Sequence, residues 1–304
     1  MRSMSILGAV LLVGLLTPLV AAGERPYIAA SHLADGGVAE VVPEVKTALR
    51  GAGFRVAGSY SPMGRKDRAV VVATDPALLR AIGSHPETGR GGHPIAGAGL
   101  RIGLLRSRDG GVEVSYVNPA YLYQAYFQEA YPEVRDEVRD AGQRLQETLG
   151  GLGEASGAPF GGAVEELSHY HYMLFMPYFE DRVTLAEHAD FHTALRTVRA
   201  NLRRGVAETE KVYEVVLSDE EQAVLGVAMN DPDHGTPSWY PELVRRHVAA
   251  LPYELYVVGG TVYMLHGRYR IALSWPELSM ATFSNIMDAP GDTERILRRV
   301  AAGD

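Results

Sequence analysis

Apolar residues along the chain change period repeatedly, and each change marks an element. Tyr27 to Ala30 reads as a short strand. Val41, Val45, Ala48, Leu49 and Ala52 recur at helical spacing and predict a helix over 41–52 with one buried face. Phe54 to Tyr60 alternates as a half-buried strand, while Ala69 to Ala73 is a continuous apolar run of the kind a central strand shows. Pro76 opens a helix to Ile82, at a position where its missing N–H costs nothing. Leu100–Leu105 and Val112–Val117 flank Arg108-Asp109-Gly110-Gly111, a hairpin signal. From Pro119 to Leu149 the pattern is helical with a break at Pro132, and the Gly-, Ala- and Ser-rich stretch Gly150 to Pro159 reads as a linker.

The same order then recurs. Tyr172–Met176 predicts a strand, His192–Arg204 a helix, Lys211–Leu217 and Val224–Met229 strands, Pro241–Ala250 a helix, and Tyr253–Val258 with Tyr263–Ser274 a hairpin turning at Gly259-Gly260. Landmarks match between the copies: Val45–Arg50 with Val198–Arg203, Asp75-Pro76 with Asp231-Pro232, and Val114–Pro119 with Ile271–Pro276. The expected fold class is α+β: two tandem two-layer α/β sandwich domains, each a mostly antiparallel sheet with helices on one face. The expected boundaries are residues 1–22 for a signal peptide, 23–130 for the first domain, 131–166 for a helical linker and 167–304 for the second domain.

Several of these pieces resemble the family catalogued as domain of unknown function 302. They are the helix end Leu49–Phe54 with its Gly-x-Gly-Phe, the step Asp75-Pro76-Ala77-Leu78, and Asp109–Val114 followed by Asn118-Pro119. Leu251–Glu254 and Gly267–Leu273 look similar to members with two copies. The resemblance covers most of 27–130 and, more loosely, 170–290. It implies a small two-layer α/β fold and no activity. Some members carry a cysteine near the end of the third strand; here that region is Val72-Ala73-Thr74.

Composition narrows the chemistry. With no cysteine in the chain, disulfides, thiolate metal sites, c-type haem attachment and cysteine nucleophiles are excluded. A formal charge of -8 and no long basic run argue against a nucleic-acid partner. Residues 1–22 have the marks of a secretory leader: Arg2, an apolar run from Ile6 to Leu16, Pro18, and small residues at Val20-Ala21-Ala22. Cleavage before Gly23 and a periplasmic or secreted mature protein are expected, with an uncleaved amino-terminal anchor as the alternative and no membrane span after the leader.

The candidate metal ligands are His169, His171, His188 and His192. The first two would share a strand face. The last two lie four apart, a helical spacing able to grip one ion. Together with Asp190 or Met173 they would suit Cu, Zn or non-covalent haem. Against this stands the plainer reading, in which each ring is held by structure and Asp190 caps the helix. Candidate ligand or partner residues are Tyr172, the tyrosine-rich helix with Tyr121 and Tyr126, whose plainer reading is packing against its own sheet or the other copy, and His266, Arg268 and Arg270, which alternate as if on one sheet face and would either bind a carboxylate or form a solvated face. The Gly-rich segment Gly89–Gly99, with His93, reads as an anion cradle or a flexible hairpin entry. No Gly-x-Ser-x-Gly, His-Glu-x-x-His or P-loop is present. The leading expectation is an exported, non-enzymatic binding or interaction protein with its site between the copies. The alternatives are a histidine-based metal or haem protein or metal-dependent enzyme, and an assembly protein dimerising through the tyrosine helix.

Overall fold

The computed structural model describes residues 23–85, 92–170 and 182–302. The first half runs β1 (Tyr27–Leu33), α1 (Val38–Gly51), β2 (Arg55–Tyr60), β3 (Arg68–Thr74), α2 (Pro76–Ser84), β4 (Leu100–Arg106), β5 (Val112–Val117), α3 (Pro119–Phe127) and α4 (Tyr131–Gly150). Two short strands, β6 (Glu154–Ala155) and β7 (Pro159–Phe160), then return to pair with β1. The second half runs β8 (Arg182–Glu187), α5 (Phe191–Arg203), β9 (Thr209–Leu217), β10 (Gln222–Met229), α6 (Thr236–Trp239), β11 (Tyr253–Val258), β12 (Thr261–Leu265), α7 (Gly267–Ser274), α8 (Met280–Asn285) and α9 (Ala289–Ala302).

The main strands are ordered β2-β3-β4-β5-β1 in one sheet and β9-β10-β11-β12-β8 in the other, all antiparallel. Irregularities recur as well. Ala57 is the extra residue where β2 pairs β3, and Val212 is the extra residue where β9 pairs β10. Ala30 bulges from β1 against β5, and Leu185 from β8 against β12. Bulges re-aim the side chains after them, so two at matching places fix a common register. Following the ladders, Gly58 corresponds to Tyr213, Val72 to Gly226, Arg101 to Glu254 and Gly103 to Tyr256. The chain is α+β, two sheet-and-helix units drawn on one plan.

Each unit builds a helical layer from amphipathic segments. Helix α1 buries Val38, Val41, Val45 and Leu49, and α5 buries Phe191, Ala194, Leu195, Val198 and Leu202. Helix α4 turns Val134, Val138, Ala141, Leu145 and Leu149 inward and packs on α1, α2, α3 and β1. The segment expected as a bridge thus begins as part of the first unit's helical layer. Asp75 caps α2 by accepting from the amides of Ala77 and Leu78, at 2.8 and 3.0 Å. In the second half Asp231 accepts from Asp233 and His234 in the same pattern.

Three sequence-based elements differ. The strand equivalent to β1 is β8, whereas the expected strand at 172–176 lies outside the described residues. The helix expected over 241–250 is two 3-10 turns, Tyr240–Glu242 and Arg245–Ala250, interrupted by extended backbone at Leu243 and Val244. The long second strand of the last hairpin stops at Leu265, where His266 caps α7 by accepting from the Arg268 amide. Consequently Pro276 follows α7, and the counterpart of the α3 cap Asn118 is His266.

Candidate functional site: a filled junction and an open cleft

Alternation along β3, β4 and β5 sends one set of side chains to α1 and α4 and the other toward the second sheet. Arg101, Gly103 and Arg68 belong to the second set, as do Glu254, Tyr256, Tyr213 and Tyr263 on the facing sheet. The junction is packed shut. Arg101 is 1% exposed, ion-paired to Glu254, and donates from Nε to the Ala249 carbonyl at 3.0 Å. Tyr213 and Tyr256 donate to the two oxygens of Glu254 at 2.9 and 3.2 Å. Arg270 lies 3.5 Å from Glu254 Oε2 and donates to the Ala250 carbonyl at 2.6 Å. Burial opposes the charge on Arg101, but Glu254 outweighs it and the guanidinium is held more firmly protonated than usual. Burial first, and then the Glu254 charge, drive the Tyr213 and Tyr256 hydroxyls well above the usual phenol range.

The structure redistributes the expected site residues. Tyr121 and Tyr126 are both 0% exposed. Tyr121 donates to the Leu273 carbonyl at 2.9 Å, so the tyrosine helix fastens one half to the other and offers no outward face there for a second copy. Arg270 is buried on α7, away from any solvated sheet face. His169 is exposed, and His171 and Tyr172 lie outside the described residues. His188 sits before α5, with Nε2 3.1 Å from the Ala301 carbonyl, while exposed His192 stacks edge-on with Phe191. Asp190 caps α5 by accepting from the Thr193 amide at 2.6 Å. Among the described residues no three His, Asp or Glu side chains gather as a metal would require. The described part of the Gly-rich segment is a buried 3-10 turn, Pro94–Gly97, with His93 Nδ1 3.4 Å from the Tyr263 hydroxyl of the other half. It forms part of the packed junction.

A roomy open concavity lies within the second half, where the ends of α6, α7, α8 and α9 meet. It encloses about 940 Å³, at the upper end of the range typical of small-molecule sites. Its walls hold His266 and Arg268 at the start of α7, His234, Arg295, Trp239 and Asp288. Trp239 is buried, and its indole N–H has no hydrogen-bond partner among the described residues. Asp292 is occupied by Arg295 and His234, and Glu294 by Arg298. Asp233, Asp288 and exposed Arg268 remain, with Met287 exposed at the rim. Sequence reasoning found His266 and Arg268 but missed the rest, because three separate helix ends contribute them.

No family model matches the sequence, and no curated protein matches it. Among solved structures, it is similar to an uncharacterized conserved protein DUF302 from Bacillus stearothermophilus, with 13% identity and a TM-score of 0.29 over 39% of this chain and 91% of that one. No helix of the described residues is long and apolar enough to cross a membrane.

Proposed function

We propose that the chain is an exported, non-enzymatic binding protein, a tandem relative of the domain of unknown function 302 proteins, whose ligand enters the cleft of the second half. The observation that carries this reading is the contrast between a sealed junction and a roomy polar cleft. The cleft is amphoteric: Arg268 suits a carboxylate, whereas Asp233 and Asp288 suit an ammonium group. Ile286 and Met287 offer apolar contact between them. A small zwitterion with a short apolar side chain fits that set.

The test uses tryptophan emission, since the chain has two tryptophans and only Trp239 lines the cleft. In a Trp275→Phe background, L-leucine should shift the emission with saturation, while isocaproate and isoamylamine, each lacking one charge, should bind at least about tenfold more weakly. Arg268→Ala should abolish the response without changing the unfolding midpoint. A flat titration with all three probes would remove the reading. Export is tested separately: the protein recovered from a bacterial periplasm should begin at Gly23.

A further inference from the structure

Equivalent positions of the two halves carry opposite properties where the halves meet. Arg101 on β4 and Glu254 on β11 are register equivalents and are also each other's ion-pair partners. Gly58 and its equivalent Tyr213 also touch. A Cβ on Gly58 would overlap the Val212 carbonyl and crowd Tyr213. Tyr213 also fills the space over Gly99. Gly103, equivalent to Tyr256, admits Val248 and Ala249 from the other half. Direct contact between equivalents places them near the pseudo-twofold axis relating the units. There, a symmetric pair would set Arg against Arg or Glu against Glu, and tyrosine against tyrosine.

We infer that these positions form a pairing code: the inner face of the first half accepts the inner face of the second and rejects a second copy of itself. Charge and volume act together. Two arginines buried at the axis would leave both guanidinium groups without a carboxylate, and the cost of an unpaired buried charge is far larger than the net gain of a paired one. Two second-half faces would bring two buried carboxylates together and deprive each Tyr213 of the space over Gly58 and Gly99. Discrimination by unfavourable alternatives is how paired surfaces become specific. The partner of each face is the complementary half of this same sequence, to which it is covalently attached.

The code is testable on the full chain with a protease site introduced between the exposed residues Glu165 and Glu166. Once cut, the halves should stay together as one species of unchanged mass. The cut protein is then unfolded in urea with an equal amount of isotope-labelled cut competitor and refolded, and the recovered pairs are weighed by native mass spectrometry. Only mixed first-with-second pairs are expected. First halves bearing Arg101→Glu or Gly103→Tyr should be under-represented by about 100-fold, whereas a control with Arg55→Glu, an exposed residue, should be incorporated as readily as the native half. Separation of the cut halves, recovery of like-with-like pairs, or equal incorporation of the Arg101→Glu half would each overturn the inference.

Discussion

Glu254 lies almost wholly out of solvent and accepts from Arg101, Tyr213 and Tyr256. Removing it strands two guanidinium groups, so Glu254→Ala should lower stability by about 3–5 kcal/mol in urea unfolding. Asp67 behaves differently because it is nearer the surface. Hydrogen bonds from Arg65 and Arg68 hold its carboxyl well below the usual range, and Arg245 reaches it from the second half at 2.7 Å. The unfolded chain therefore binds a proton there before the folded chain does. The stabilisation is complete above the unfolded value of about 3.9 and is lost as the pH falls below it. Asp67→Asn should flatten that acid limb of the stability curve by lowering stability at neutral pH, where the charged carboxylate contributes in full, while leaving the most acidic end nearly unchanged. Neither role was legible in the sequence. Arg101 alternates with Leu100 and Ile102 as a solvent-facing residue of a hairpin strand would, and only a second sheet laid on that face makes it interior.

At the level of elements, α1 and α5 were read correctly from their apolar stripes, α7 was taken for strand, and α9, whose stripe runs through Ile296, Leu297 and Val300, was not read at all. Helices α1 and α5 keep one wet face, so their spacing shows. Helix α7 is buried at Gly267 and from Tyr269 to Ser274, and its arginine-tyrosine alternation mimicked a strand because burial on all sides erases the 3.6-residue signal. His266, the residue that caps it, belonged to no familiar capping pattern. Helix α4 was visible as a helix but not as a member of the first unit, since its partners on α1, α2 and β1 are distant in sequence. Leu145→Ala, at a position with no exposure, should cost about 2–5 kcal/mol and shift the urea midpoint of the first unit.

For the whole molecule, the repeat was legible from landmarks at Val45–Arg50 and Asp75-Pro76, and the same strand order appears in both units. The cleft between copies that the repeat suggested is instead filled by aromatic and ionic side chains. Composition could not reveal this, because a tyrosine that seals an interior and a tyrosine that greets a ligand look alike in a sequence.

Unequal residues at Arg101 and Glu254 also bear on history. A symmetric dimer of one gene product must place identical residues on both sides of its axis, so it has no means of setting an arginine against a glutamate there. Such a pair arises only after the two copies can mutate independently. In a chain built from two copies of one unit, divergence at these two positions therefore follows the duplication. Any single-copy ancestor that associated through this face carried there a residue compatible with its own image.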